Sequence, residues 1–438
     1  MQSQPTRVTG TVTHDFARTD MTWAAYLLLG YFSYLQAVLG PVMPFLRHDL
    51  RLSYAAGGLH FSAFAAGMII AGLAGARVTA WLGRPIVFWG GAVGMAVGAV
   101  MVVVGGRLTL TVAGAGVMGL LGALLLVTIQ AVLSDQHGRY RTRALTEANI
   151  GASLASGLAA LLVGLCQGVG LGWRAALLIP IALFVLIAAR YRRAPLPPRA
   201  AGATQGHRPA ARLPLLFWLY WVVVVFSVAA EWSLTFWGTD YLHHVIALDT
   251  GVAATVMGLY LFGTVLARVL GSRLTRVLPS AALLVAAIGV ALAGFLVFWL
   301  APHGPLTIIG LAVTGLGIAN LFPLGLATGL GIAPESSDTT SARISLGAGL
   351  AIFVAPLSLG GLADHVGIRA AYGVVPLLLC AAGVVALGAL VLGRRGPDLE
   401  RSWQGPDLER SRQRQPGTPR GAERVSHPDR PFKVSPLP

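Results

Sequence analysis

The chain has 438 residues, of which 55% are apolar and only 11% are charged. Soluble domains carry about 25% charged residues, so too few charges remain here to cover a water-soluble body. The formal net charge of +15 comes from basic residues in short connections and at the chain ends, a pattern that cytoplasmic loops explain better than a nucleic-acid surface. The composition therefore predicts a protein that spans a lipid bilayer and binds no nucleic acid.

Apolar runs of about the twenty residues that one helical span needs follow one another along the chain. They are bounded by Arg, Pro, Gly or Asp. We predict six spans in a first half and six in a second half, at about 23–45, 54–76, 85–105, 108–133, 147–169 and 173–190, and then at about 214–238, 250–271, 279–301, 306–330, 341–363 and 370–392. The first half is residues 23–190 and the second half is residues 214–392.

Three polar segments flank these halves. Residues 1–22 are predicted to be a cytoplasmic segment that leads into a retained span, because no cleavage site follows them. Residues 191–213 form a basic linker rich in Pro and Gly, and residues 393–438 form a basic cytoplasmic tail that we expect to be disordered. With both termini inside, fourteen arginines fall in inner loops and five in outer loops, which satisfies the positive-inside rule.

The two halves are related in sequence. At an offset of 196, residues 52–82 align without gaps with residues 248–278. Matches of Leu, Gly and Ala are common in apolar helices, but paired polar residues at a loop edge are not. Such pairs are Arg77 with Arg273 and Thr79 with Thr275. We interpret the pattern as a duplicated six-helix unit.

Three short motifs add to the duplication. They begin at Pro44 (PFLRHDLRLS), at Gly172 (GWR) and at Gly361 (GLADHVGIR), at the ends of predicted spans 1, 5 and 11. Together with the two halves and the basic linker, they resemble the major facilitator superfamily over about residues 23–392. The resemblance implies an all-α membrane protein of twelve transmembrane helices in two pseudo-symmetric six-helix bundles, which works by alternating access.

The loop between spans 2 and 3 departs from the family pattern. It reads GARVTAWLGRP from Gly75 and keeps Gly83 and Arg84, but it lacks the acidic residue on which the family builds a charge-relay latch. The signatures of many drug/proton antiporters in spans 4 and 5 are also missing, which lowers the weight of proton-driven drug efflux.

Basic residues end spans 2 and 8 on the predicted cytoplasmic side. Gly83 and Arg84, with Arg273 and Arg276 at the corresponding end of span 8, are our candidates for a cytoplasmic gate or latch. Arg268 is interpreted in the same way, as an inner-face anchor whose side chain reaches the headgroups or latches the halves together, and not as an anion site.

Glu231 is the acidic residue that lies well inside a predicted span, span 7. An unpaired carboxylate is costly in hydrocarbon, so such a group usually faces a cavity and often binds substrate or a proton. Ser227 and Thr235 lie four residues to either side and share its helix face, and Trp237 follows. We predict that Glu231 couples protons and that the other three line the cavity. A structural Glu bonded between helices is the alternative.

Other polar residues fall on other predicted spans. On span 5, Asn149 and Ser153 share a helix face, which suits either a cavity lining or bonds to a neighbouring helix. The family resemblance implies that spans 1, 4, 7 and 10 line the central cavity. The further cavity candidates on those spans are Tyr26, Ser33, Gln36, Gln130 and Asn320.

No nucleotide-binding, hydrolase or metal motif stands in a suitable context, so we expect no enzyme activity, no cofactor and no metal. We expect a secondary active transporter that moves a small organic solute and is linked to protons. A drug or metabolite exporter of the same fold is the alternative, and a non-transporting membrane receptor is a weaker one. The excess of Arg over Lys is typical of a GC-rich bacterial genome, so we expect a bacterial plasma membrane. We also expect a monomer.

Overall fold

The computed structural model describes residues 16–197, 213–275, 277–301, 304–333 and 337–403. These residues form helices and connections without a strand, so the predicted all-α fold is confirmed. In chain order the helices are α1 (Asp20–Ala37), α2 (Leu39–Leu50), α3 (Tyr54–Leu82), α4 (Arg84–Val104), α5 (Leu108–His137), α6 (Arg141–Gly168), α7 (Trp173–Tyr191), α8 (Leu215–His244), α9 (Thr250–Leu274), α10 (Ser280–Leu300), α11 (Pro305–Ile318), α12 (Leu321–Ile332), α13 (Ser337–Val366), α14 (Ile368–Ala371) and α15 (Val374–Trp403).

Ten helical stretches within the described residues are long and apolar enough to cross a membrane, or eleven when the bent pair α1 and α2 counts as one. One stretch, Leu108–Gly168, has 61 residues, which at 1.5 Å per residue is far longer than a bilayer of about 30 Å. It contains α5 and α6, joined by a 3₁₀ turn at Gly138–Tyr140. The stretch is therefore long enough for two spans, and the number twelve stays a prediction.

Two of the spans are broken near a proline. The axis bends by 41° between α1 and α2, and Pro41 stands three residues into α2. Proline has no N–H, so it cannot bond back to the preceding turn and weakens the helix there. The break between α11 and α12 falls at Asn320, three residues before Pro323.

The sequence repeat has local counterparts in the structure. Ser53 and Asp249, which are 196 residues apart, both cap the helix that follows, α3 and α9, by accepting backbone N–H bonds. Gly172 and Gly367, which are 195 residues apart, have nearly the same conformation at φ 75° and 79°. A positive φ suits glycine because it has no Cβ. Each glycine immediately precedes a helix, α7 and α14.

Large apolar side chains remain exposed along the helices. Leu73, Leu186 and Val384 are 72%, 66% and 71% exposed. Such surfaces are stable in lipid, where exposed apolar groups cost nothing. Residues Met1–Leu390 form one compact unit and Val391–Pro438 a second. Most of the predicted linker and tail, and Arg276, lie outside the described residues, and the predicted domain boundaries stay predictions.

Candidate functional site

A cavity of about 190 Å³ lies between helices of the two halves. Predicted spans 1 and 5 correspond to α1 with α2 and to α6, and spans 7 and 8 to α8 and α9. The cavity is lined from α1 and α6 on one side and from α8 and α9 on the other, by Ser33, Gln36, Ala37, Asn149, Ala152, Ser153, Ser156, Glu231, Trp232, Thr235, Tyr260, Leu261, Thr264 and Arg268.

An ion pair stands in this cavity. The Arg268 Nη2 atom lies 3.6 Å from the Glu231 Oε1 atom, and the side chains are 45% and 17% exposed. Arg268 also donates from Nε to the Ala319 carbonyl (3.2 Å) and from Nη1 to the Ser153 hydroxyl (3.3 Å). Of the two roles predicted for Arg268, the contacts do not fit a headgroup anchor and fit a latch between the halves. Its side chain turns into the protein, where it pairs with a carboxylate and contacts α6 of the first half.

Some of the cavity candidates on α8 line the cavity and others do not. Thr235 lines the cavity with Glu231 and donates its hydroxyl to the Glu231 carbonyl (2.8 Å). Ser227 is fully buried and does not line this cavity. Trp237 is also buried away from it, and its Nε1 donates to the Pro356 carbonyl (2.8 Å) on α13. Helical rotation explains Trp237, because six residues at 100° each place it about 240° from Glu231.

The candidates on α1 and α6 meet across the cavity. Ser33 and Gln36 line it from α1, and Asn149 and Ser153 line it from α6. Ser156, also on α6, donates its hydroxyl to the Ser33 carbonyl (3.3 Å) and so ties the two helices together. Together with α8 these residues surround the cavity with hydroxyl and amide groups. Their role in binding a solute stays a prediction.

Three other candidates do not line this cavity. Tyr26 donates its hydroxyl to Glu147 (3.1 Å), which also accepts two bonds of 2.8 Å from Arg18. Gln130 is exposed on α5. Asn320 stands at the break between α11 and α12 and donates from Nδ2 to the Ala267 carbonyl (3.1 Å). The prediction that these three residues line the cavity does not match this cavity.

The gate candidates lie at helix ends. Gly83 joins α3 to α4 with a φ of +84°. Arg84 pairs with Asp135 (2.6 Å) and donates to the Pro197 carbonyl (3.3 Å), so its named partners belong to its own half and to the start of the linker. Arg273 is exposed in the last turn of α9. Their role in gating stays a prediction.

The sequence missed an ion pair that joins the two halves. We call the side of the protein with residues 51–53 and 245–249 the Arg47 face, and the opposite side, with residues 83 and 138–140, the Arg84 face. At the Arg47 face, Arg47 of α2 lies 2.5 Å from Asp240 of α8. Asp240 stands two residues past the predicted end of span 7. The available signal was the opposite charge of two residues near the ends of corresponding spans, 1 and 7.

A carboxylate from the second half also caps a helix of the first half at the Arg47 face. The backbone N–H groups of Tyr54 and Ala55 donate to the two oxygens of Asp364 at 2.7 and 2.8 Å. Close backbone approaches surround this contact. A Cβ added at Gly360 would lie 2.6 Å from the Tyr54 carbonyl oxygen. Deeper between the halves, one added at Gly40 would lie 2.5 Å from the carbonyl oxygen of Thr235, which lines the cavity. The halves are thus tightly packed at this face.

The family model for the Major Facilitator Superfamily matches residues 22–342 and, in an overlapping match, residues 247–432. No curated protein sequence matches the chain closely enough to count as a relative.

Solved structures of transporters share the fold at low identity. A bacterial homologue of the human lysosomal transporter Spinster is 16% identical with a TM-score of 0.69, over 84% of this chain and 96% of that one. A proton-dependent oligopeptide transporter is 16% identical with a TM-score of 0.70, over 86% of this chain and 99% of that one. A D-xylose-proton symporter is 16% identical with a TM-score of 0.67, over 84% of this chain and 96% of that one. Because the family match spans most of the chain, the protein belongs to the Major Facilitator Superfamily and is a transporter rather than an enzyme.

Proposed function

We propose that this protein is a secondary active transporter that moves a small organic solute by alternating access and couples its movement to protons. The observation that carries the proposal is the cavity around Glu231 and Arg268, which is shared by helices of both halves. A site at such a seam can be exposed to either side of the membrane when the halves rock against each other.

The proposed orientation places the Arg47 face outside and the Arg84 face in the cytoplasm. It is supported by the excess of arginine in the loops of the Arg84 face. The contact of Arg47 with Asp240 lies nine residues along α8 from Glu231, which is about 13 Å. In this orientation the tight contacts of the Arg47 face close the outer side of the pathway.

Proton coupling is assigned to Glu231. When it is ionised, Glu231 neutralises Arg268, and when it is protonated the guanidinium loses that partner. Because Arg268 also holds Ser153 of the first half, the charge of Glu231 is linked to a contact between the halves. In the proposal, this hydrogen bond connects the protonation of Glu231 to the rocking movement of the halves. Proton binding and solute movement are then steps of the same transport cycle.

The size of the cavity favours a metabolite over a drug. Sites for drug-sized ligands have volumes of about 300–1,000 Å³, whereas this cavity has about 190 Å³. In the conformation described, the cavity therefore has room for a small solute and not for a drug-sized one.

The proposal is tested with purified protein reconstituted in lipid vesicles. A screen of small metabolites for thermal stabilisation of the purified protein supplies a labelled solute. We expect counterflow, in which unlabelled solute inside drives transient accumulation of labelled solute from outside. Saturable binding without counterflow would instead identify a receptor.

A further inference from the structure

We infer that the solute carried in this cavity is a small organic monoanion, whose carboxylate is bound by Arg268 after a proton has neutralised Glu231. The inference rests on the proposed transport function and names the class of its substrate. It also reverses the expectation, drawn from the sequence, that Arg268 belongs to no anion site.

The charge balance of the cavity supports an anion. Of the residues that line it, Glu231 and Arg268 are the two that carry charge, and Tyr260 is the other titratable group that faces Glu231. With Glu231 ionised the pair is neutral. Protonation leaves Arg268, whose side chain is 45% exposed, without its counter-charge, and an anion that binds beside it restores a neutral pair. A neutral solute leaves that charge unpaired, and a cationic solute is repelled by it.

The guanidinium is positioned for this role before any solute arrives. Its Nε and Nη1 atoms are fixed by the Ala319 carbonyl and the Ser153 hydroxyl. Its Nη2 atom lies 3.6 Å from Glu231, which is longer than the 2.7–2.9 Å of a charge-assisted hydrogen bond. Arg268 is also the more exposed partner of the pair. A carboxylate can therefore take the place of Glu231 beside a guanidinium that is already oriented.

A second, separate observation is the charge of the outer vestibule. A cavity of about 760 Å³ at the Arg47 face is lined by three arginines, three histidines and a single carboxylate, Asp49. The arginines are Arg47, Arg51 and Arg174, and Asp49 pairs with Arg174 at 3.0 Å. Arg47 is neutralised by Asp240, so Arg51 is the lining arginine left without a partner among the described ion pairs. The small net positive charge that remains attracts anions.

The neutral groups around Arg268 narrow the class further. Gln36, Asn149 and Thr264 present amide and hydroxyl groups to the same cavity. Such groups bind an oxygen substituent of a solute, and the limited volume excludes a long hydrocarbon chain. The site therefore suits small monocarboxylates that carry a hydroxyl or oxo group.

The inferred cycle keeps the cavity neutral whenever the halves rock. One proton adds to a carboxylate oxygen of Glu231, and one monoanion binds Arg268. Both leave on the other side, and the Glu231–Arg268 pair reforms for the return. One proton and one negative charge move together, so no net charge crosses the membrane. Transport should therefore be independent of the membrane potential.

The test measures binding to the full-length purified protein by thermal shift and calorimetry. The probes are 2-hydroxy and 2-oxo monocarboxylates of two to six carbons, each paired with its uncharged amide. We expect at least one acid to bind while its amide does not. Arg268→Gln should weaken that acid by roughly ten- to hundredfold, the loss expected for a charge-assisted contact. Arg107→Gln, which removes an exposed arginine at the start of α5, should bind as the wild type does.

A second variant keeps the test decisive if Arg268→Gln fails to fold. Wild-type binding of the acid should strengthen as the pH falls, whereas Glu231→Gln should bind it tightly at every pH. The inference is overturned if no acid binds, if the amide binds as well as the acid, or if Glu231→Gln keeps the pH dependence of the wild type. Counterflow of an uncharged solute would overturn it and leave the transport function standing. Binding of the acid without counterflow would reject transport alone.

Discussion

The guanidinium of Arg47 lies 2.5 Å from the buried carboxylate of Asp240 and 3.4 Å from the centre of the Tyr54 ring. Asp240 is fully buried, and Arg47 is 12% exposed. The pair joins α2 of the first half to α8 of the second. A buried charge that loses its partner costs about 3–5 kcal/mol, so this contact strongly favours closure of the Arg47 face.

The first prediction concerns this ion pair. Asp240→Asn leaves Arg47 without a counter-charge in the closed state, so we expect the Arg47 face to open more often. A reporter cysteine at Ser62, which now donates to the Phe353 carbonyl across the halves, should react faster with a maleimide. The reporter is placed in a Cys380→Ser background, because Cys380 is exposed. The double variant Arg47→Met with Asp240→Leu removes both charges and should restore slow labelling. Equal labelling in all three proteins would show that the ion pair does not hold this face closed.

The second prediction concerns the cap of α3. Asp364 of the second half accepts two backbone N–H bonds from α3 of the first half. Loss of such a cap costs about 1–2 kcal/mol. Asp364→Ala should therefore lower the midpoint of thermal unfolding more than Asp364→Asn, which keeps one acceptor. Asp20→Ala is the matched control, because Asp20 forms an exposed pair with Arg190 (3.3 Å) and such pairs contribute little. A larger effect at Asp20 than at Asp364 would contradict the assignment.

The third prediction concerns the close approach of α2 and α8. A valine at Gly40 would collide with the Thr235 carbonyl, since even its Cβ would lie 2.5 Å away. Backbone cannot move aside as a flexible side chain can, so Gly40→Val should prevent closure and abolish counterflow. Gly72→Val on α3 has open space around the added Cβ and should retain counterflow. Transport by Gly40→Val at the wild-type rate would show that the two helices need not approach this closely.

Much of the fold could be predicted from the sequence because it depends on local properties. The length of an apolar run determines whether it can cross a bilayer, and an internal repeat determines that the halves are alike. The shared helix face of Glu231 and Thr235 is local as well, since it follows from the helical period alone. The structure brings these two to one cavity with Ser33, Gln36, Asn149 and Ser153.

The rest depends on contacts between helices that no single run of sequence contains. An arginine near the end of a span, such as Arg268, can reach the headgroups or turn inward, and the choice is made by the carboxylate and the carbonyl on neighbouring helices. Asp240 fell outside predicted span 7 because an apolar run does not show where its helix ends, and α8 continues to His244. Tyr26 and Asn320 are polar in the expected spans, yet neighbouring groups in the first and second halves satisfy them.

In the proposed mechanism, Glu231 is the group that links proton binding to solute movement. The most direct measurement is accumulation of a labelled solute in vesicles under an imposed pH gradient, compared with exchange in the absence of a gradient. Glu231→Gln is compared with Asp20→Asn, which removes an exposed carboxylate. We predict that Glu231→Gln abolishes accumulation and retains exchange, while Asp20→Asn retains both. Accumulation by Glu231→Gln at the wild-type level would contradict the account.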